Sequence, residues 1–399
     1  MNILMTASTL PRFGDDSELS IVLDIAENIK KYHKNINISI LAPHYPNVKK
    51  EEIIKNVKIY RYKYFFERLE KLHYNGGMLF NIQRNKLYFL LIPLSLFFQI
   101  LAIKKIVKKE KIDILHSHWI IPQGLAAVLY KKIFNQKIKI VCTAHGSDVF
   151  LLKKKYFNIL KRFILKKCDK ISVVSSALQK ELLKNKAENY NINIINNGIN
   201  IEKSISLIEI NNLKNKYNIN SFCLLFVGRL SIKKGIFYLI EAMPKILLNF
   251  PKTKLIIVGY GPDQTLLEKK VQKLKLQNHI IFTGALRKKE IFSYYTIANI
   301  LINPSLEEGF GMVLLEALSF KLPVITTNSG GITDIIEDKK TGIFINQKQS
   351  DSIANTVNAL LNNEEKRKKL SYKGYEMIQN KFNWKKIALK YYDFYCQLN

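Results

Sequence analysis

A chain of 399 residues exceeds what one ordinary hydrophobic core holds and points to two domains. Its 47% hydrophobic and 11% aromatic content excludes a largely disordered chain. The 63 Lys and Arg against 32 Asp and Glu give a formal charge of +31, which favours phosphate-bearing partners; the joint abundance of Lys, Asn and Ile makes part of that excess compositional drift.

Residues 2–7 read as a buried-type strand, and the N-terminus is too short and uncharged for a signal peptide, so a cytoplasmic protein is expected. The following loop carries Arg12, Gly14 and Asp15 ahead of a helix over about 17–31. In a doubly wound sheet this loop borders the ligand crevice. It lacks the GxGxxG fingerprint, which argues against a bound dinucleotide. Residues 36–42 and 57–62 are further strands, and 71–86 is a polar segment of loop or helix edge.

Residues 87–103 form the most apolar run, interrupted by Pro93, Ser95 and Gln99 and followed by Lys104, Lys105, Lys108 and Lys109. A spanning helix needs about 20 apolar residues. This run falls short and leads into a strand, so a helix packed on the sheet is expected. Membrane-surface contact is the intermediate reading, because an apolar face beside lysines suits anionic headgroups.

The strand 113–116 closes with His116-Ser117-His118-Trp119, and the strand 137–144 with His145-Gly146-Ser147-Asp148. Three histidines at two strand ends invite a metal reading, but neither HExxH nor a Cys/His spacing supports one. Cys142, Cys168, Cys223 and Cys396 show no CxxC spacing and read as free thiols in a reducing compartment. Strands at 170–174 and 191–196, with a helix between them, complete a first domain. Asn196-Asn197-Gly198 is a turn signal, and the polar stretch to residue 220 reads as an interdomain connection containing a helix.

The second domain opens with the strand 222–227 and Gly228-Arg229-Leu230-Ser231-Ile232-Lys233-Lys234-Gly235 before a helix to about 249. Arg229 and Lys234 flank the helix start, where their charges and the helix dipole act together on a diphosphate. The strands 254–258 and 279–283 end in Gly259-Tyr260-Gly261 and Gly284-Ala285-Leu286. The strand 299–303 empties into the polar loop 304–309, and Gly311 opens a helix. Gly309 and Gly311 let the backbone turn so that the amides of Gly311, Met312 and Val313 can face a phosphate. Glu308 and Glu316 then stand at different depths of one pocket. A strand over 322–326 ends in Gly330-Gly331, and helices fill 351–380 and 384–397.

The stretch Glu308-Gly309-Phe310-Gly311 through Glu316 resembles the EX7E region of the retaining glycosyltransferases of family four, which have the GT-B fold. Gly228-Arg229-Leu230 with Lys234-Gly235 is similar to that family's GRL…KG motif, and residues 116–119 and 145–148 resemble its HxHW and HGSD stretches. The first loop resembles the family's glycine loop, with Gly14-Asp15 where a Gly-Gly pair is common. Asn196 stands where the family usually has proline.

The resemblance implies an α/β, GT-B architecture of two Rossmann-like doubly wound domains facing a central cleft. An acceptor-side domain would cover 1–198, a nucleotide-sugar domain 199–380, and a terminal helix, 381–399, would cross back to the first. It implies that Arg229 and Lys234 neutralise the leaving diphosphate above the amides of Gly311, Met312 and Val313. Glu308, with Gly309 and Phe310, would meet the donor sugar, and Glu316 the ribose hydroxyls. Gly284 and Leu286 would lie near the nucleoside, with Gly14 as a further donor contact. His145 would sit beside the transferred sugar, and His118 and Asp148 on the acceptor side.

The combined expectation is a retaining, metal-independent hexosyltransferase without a cofactor. It would move a hexosyl unit from a nucleotide-diphosphate sugar to a glycan or lipid-linked acceptor in cell-surface polysaccharide or glycolipid synthesis. It would be cytoplasmic and peripheral on the inner face of the membrane, with an anionic membrane surface as partner and no nucleic acid. A nucleotide-sugar epimerase or glycan phosphorylase of the same fold is the alternative; it would lack an added acceptor or use inorganic phosphate. A non-catalytic phosphate-binding protein is the rival from another class, against which stands the lack of a nucleic-acid motif.

Overall fold

The computed structural model describes residues 1–13, 16, 20–74, 77–152, 154–184, 191–200 and 205–398. The chain divides into two compact units, Met1–Gly198 with Trp384–Asn399, and Ile199–Asn383.

The first unit is built on β1 (Asn2–Thr6), β2 (Asn37–Pro43), β3 (Glu51–Ile54), β4 (Val57–Tyr62), β5 (Ile114–His118), β6 (Lys139–Ala144), β7 (Lys170–Val173) and β8 (Ile192–Ile194). Their order is β3-β4-β2-β1-β5-β6-β7-β8, parallel except for β3, which pairs antiparallel with β4 at the edge. Ile3, Leu4 and Met5 are all fully buried, as expected of a strand covered by helices on both faces. On one face the helices Ile21–Tyr32 and Trp384–Cys396 pack against each other. Trp384, Ile387, Tyr391 and Phe394 join Ile3, Met5, Ile25 and Ile38 in one core cluster, so the last helix completes a core begun by the first strand. The helices Leu91–Glu110, Leu125–Ile133 and Lys155–Lys167 pack in succession elsewhere on the unit.

β5 runs two residues beyond its sequence-based end, because Ser117 and His118 keep their pairing with Cys142 and Thr143 of β6. His116 and His118 therefore lie within the strand, both fully buried.

The second unit holds β9 (Cys223–Val227), β10 (Lys254–Val258), β11 (Ile280–Gly284), β12 (Ile300–Asn303), β13 (Val324–Thr327) and β14 (Ile343–Ile345). All pairs are parallel, in the order β11-β10-β9-β12-β13-β14. This is the 3-2-1-4-5-6 order of a nucleotide-binding doubly wound sheet, and the order reverses between β9 and β12. A crevice opens at such a reversal because the two adjacent strands send their following helices to opposite faces.

Candidate active site

The loops after β9 and β12 flank that reversal. After β9 the chain turns at Gly228 and presents Arg229, which is exposed, then Lys233 and Lys234 in a short helical turn before the helix Ile236–Asn249. After β12 it runs through Glu307, Glu308 and Gly309. The Leu306 amide donates to the Lys233 carbonyl at 2.7 Å. The Lys234 ammonium pairs with Glu308 Oε2 at 2.6 Å, both side chains half-buried, and Lys233 pairs with Glu307.

Two glycines decide how closely these loops approach. Gly235 has φ +65, and a Cβ there would fall 2.0 Å from the Pro304 carbonyl oxygen. Gly330, after β13, has φ +56, and its Cβ would fall 1.9 Å from the Glu308 carbonyl oxygen. Neither position accepts a side chain, so the loops after β9, β12 and β13 touch backbone to backbone. That contact holds Glu308 and Lys234 in one place. Gly284 ends β11 and Leu286 follows it, on the far side of β10 from this pair. The Gly284 carbonyl accepts the Gly259 amide at 2.9 Å, which ties the β11 turn to the loop after β10.

Gly311, at φ +105, caps the helix Met312–Ser319. Its carbonyl accepts the amides of Leu314 and Leu315, so those of Gly311, Met312 and Val313 belong to the open first turn, where a helix has no partners of its own to offer. Such an edge carries partial positive charge toward an anion. Phe310 is buried, its ring 6.0 Å edge-on from Phe382, and it anchors the loop to the unit's interior.

Glu316 stands one turn into the helix, half-buried, and its Oε2 accepts the Tyr295 hydroxyl at 2.8 Å. Tyr295 is buried and stacked on Phe320. Burial, and then the Glu316 charge, push its phenol well above the ordinary range, so it stays a donor. No motif marks Tyr295 in the sequence; the only signal is a Tyr-Tyr pair on the helix Lys288–Ile297.

In the first unit His118 and His145 end adjacent strands. His118 Nδ1 lies 2.9 Å from His145 Nε2, and the His145 ring packs 4.7 Å from that of Trp119. His118 Nε2 is buried with no hydrogen-bond partner among the described residues. A proton there would be an unmet buried donor, so His118 carries its proton on Nδ1 and donates to His145. His145 then keeps its own N–H on Nδ1. His116 meets the Tyr395 hydroxyl and the Thr143 hydroxyl, each at 2.7 Å. Burial holds His116 and His145 neutral, pushed down to about 3, and drives His118 well below its ordinary value.

Asp148 is 2% exposed and accepts the amides of Ile120, Gly146 and His145 at 2.8, 3.0 and 3.3 Å. It braces the loops after β5 and β6 against each other and so fixes the backbone that carries His145. Gly14 lies outside the described residues. Among the described residues no group of three or more His, Cys, Asp or Glu is arranged to hold a metal ion.

The family model Glycosyl transferases group 1 matches residues 209–377, and the model Glycosyltransferase Family 4 matches residues 21–203. An uncharacterised glycosyltransferase of Methanocaldococcus jannaschii is 33% identical over 296 residues, which cover 72% of this chain and 76% of that protein. The alpha-monoglucosyldiacylglycerol synthase of Acholeplasma laidlawii is 27% identical, over 63% of this chain and 68% of its own. Among solved structures, sucrose-phosphate synthase from Thermosynechococcus elongatus superposes with a TM-score of 0.81 at 20% identity, covering 100% of this chain and 98% of that one. Anabaena HepE in complex with UDP and glucose gives 0.71 at 17% identity, with both chains fully covered. The chain therefore belongs to the group 1 glycosyltransferases, with a family-four first domain and the GT-B fold.

Proposed function

We propose that this glycosyltransferase is retaining and metal-independent, and that it moves a hexosyl unit from a nucleoside-diphosphate sugar to a glycan or lipid-linked acceptor on the cytoplasmic side of the membrane. The observation that carries the reading is the Lys234–Glu308 pair at 2.6 Å beside the open helix edge at Gly311, at the reversal of a nucleotide-type sheet. The charge developing on a leaving diphosphate needs fixed positive groups around it. Arg229, Lys234 and the amides of Gly311, Met312 and Val313 are assigned to that task. Glu308, relieved of Lys234 when the diphosphate takes the ammonium, is assigned to the sugar hydroxyls.

Glu316, held by Tyr295, suits the vicinal ribose hydroxyls, because an ionised carboxylate only accepts and has two oxygens. Gly284 and Leu286 are assigned to the nucleoside. The Nδ1–H of His145, oriented by His118, is assigned to a hydroxyl of the transferred sugar. UDP in the HepE complex and the glycolipid product named for the Acholeplasma relative support the donor class and the acceptor class.

The test is a thermal-shift panel of UDP, GDP and ADP and their sugars, followed by turnover in the presence of EDTA and NMR of the product. One nucleoside diphosphate is expected to raise the melting temperature. Turnover is expected to survive EDTA, and the product to keep the donor's anomeric configuration. Epimerised donor formed without any acceptor, or a dependence on inorganic phosphate, would overturn the reading.

A further inference from the structure

The segment Lys86–Glu110 is long and apolar enough to cross a bilayer, yet only 28% of its most apolar stretch is buried. Leu87, Leu90, Leu94, Phe97 and Leu101 are all exposed, Leu87 by 70% and Phe97 by 57%. Their spacing of three and four places them in one stripe along the segment. The opposite side is committed to the protein. Ser95 Oγ meets His73 Nε2 at 2.7 Å and the Tyr62 hydroxyl at 3.3 Å, and Ile100, Ile103 and Ile106 are buried. A transmembrane placement would strip those partners away, so the stripe must find its partner where it lies.

Apolar side chains are exposed on the neighbouring helices too. Lys104 Nζ sits 4.3 Å from the ring centroid of Phe134, which is exposed at the end of the helix Leu125–Ile133. Ile159 and Phe163 are exposed on the helix Lys155–Lys167. Residues 86–167 contain seventeen Lys and Arg against three acidic residues. None of the three acids is available on this surface. Glu110 accepts from Lys58 and Tyr60, Asp113 from the Asn2 amide, and Asp148 from its loop amides.

We propose that these three helices form a docking face for an anionic lipid bilayer, on which the enzyme lies flat; the inference rests on the lipid-linked or membrane-proximal acceptor proposed above. Lys109 pairs with Glu51 and Lys131 with Asp169, but basic residues still far outnumber acids along these helices, and apolar side chains beside such an excess of lysines suit a partner that offers acyl chains and phosphates together. A second copy of the same face would bring the same positive charge, and repulsion argues against it.

The test is flotation of the full chain with phosphatidylcholine vesicles, with and without phosphatidylglycerol, at low and high salt. Wild type is expected on the anionic vesicles at low salt and free at high salt. Leu94→Glu with Phe97→Glu, both at exposed positions, is expected to cut the bound fraction at least tenfold. Brominated acyl chains are expected to quench the added fluorescence of Phe97→Trp. Donor binding and turnover on a soluble acceptor are expected to stay at the wild-type level in these variants. Undiminished vesicle binding by the double variant would overturn the proposal, as would retention at high salt and alkaline carbonate, or a dimer that the double variant dissociates. Loss of donor binding by wild type itself would instead sink the proposed function and leave the surface standing.

Discussion

Lys234 and Glu308 neutralise each other while both are half-buried, so each leaves the other stranded if removed. Lys234→Ala is expected to weaken nucleoside-diphosphate binding by about 1.5–3 kcal/mol, roughly ten- to a hundredfold, as read by calorimetry. Tyr295→Phe keeps the ring stacked on Phe320 and deletes only the bond to Glu316. A loss of about 1 kcal/mol in nucleoside-diphosphate affinity is expected, with little change in melting temperature. His145→Ala is expected to divide differently, lowering turnover while the bare nucleoside diphosphate binds as before. Equal losses of nucleotide affinity in the Tyr295 and His145 variants would refute that division. His73, His116 and His145 are held down to about 3 by burial, against about 6.5 in the unfolded chain. Their contribution to stability is therefore complete above about pH 6.5 and is lost as the pH falls toward 3, by up to about 1.4 kcal/mol per histidine per pH unit. Urea unfolding at pH 7.5 and 5.5 should show the midpoint of the first unit falling on acidification, and a constant midpoint would contradict neutral histidines. Of these residues, His145, Lys234, Glu308 and Glu316 announce themselves by motif. Tyr295 and the brace of Asp148 do not, since a second partner that arrives from another element leaves no spacing to read.

At the level of elements, the tight approach of the loops after β9, β12 and β13 depends on backbone that only glycine can supply. Gly330→Ala is expected to cost more stability than Gly284→Ala. Both have positive φ, but a Cβ on Gly330 meets the Glu308 carbonyl oxygen at 1.9 Å, while one on Gly284 meets nothing within 4 Å. Strain alone costs on the order of 1 kcal/mol, and the clash adds a displacement of the β12 loop. Denaturant midpoints and donor affinity of the two variants compare these terms directly, and equal midpoints would mean the loops are not locked together. The apolar strands and the helix starts at Gly235 and Gly311 are legible because periodicity and glycine punctuation coincide there. β14, with three residues, and β3, where Glu51 and Glu52 open an edge strand, carry too little pattern to be read. The helix Lys155–Lys167 is obscured for another reason. Its exposed Tyr156, Ile159 and Phe163 and its buried Lys161 run against the apolar-inside, charged-outside division by which such a helix is recognised.

For the whole molecule, the motifs make the two nucleotide-type folds legible, but strand order follows from tertiary pairing and cannot be counted off a sequence. The excess of basic residues, seventeen of them within residues 86–167, is legible in the sequence, whereas the exposure of Leu87, Leu90, Leu94, Phe97 and Leu101 among them follows only from the fold. The placement of the helix Trp384–Cys396 has a consequence for the order in which the protein is made. Residues 199–383 form a contiguous unit that can fold as it leaves the ribosome. The first unit begins earlier, but Trp384, Tyr391 and Phe394 of its core, and the Tyr395 hydroxyl that satisfies His116, are synthesised only after residues 199–383. The unit translated first is thus finished second, and until then the nascent chain carries an open seam along Ile3, Met5 and Ile25 where a chaperone could bind.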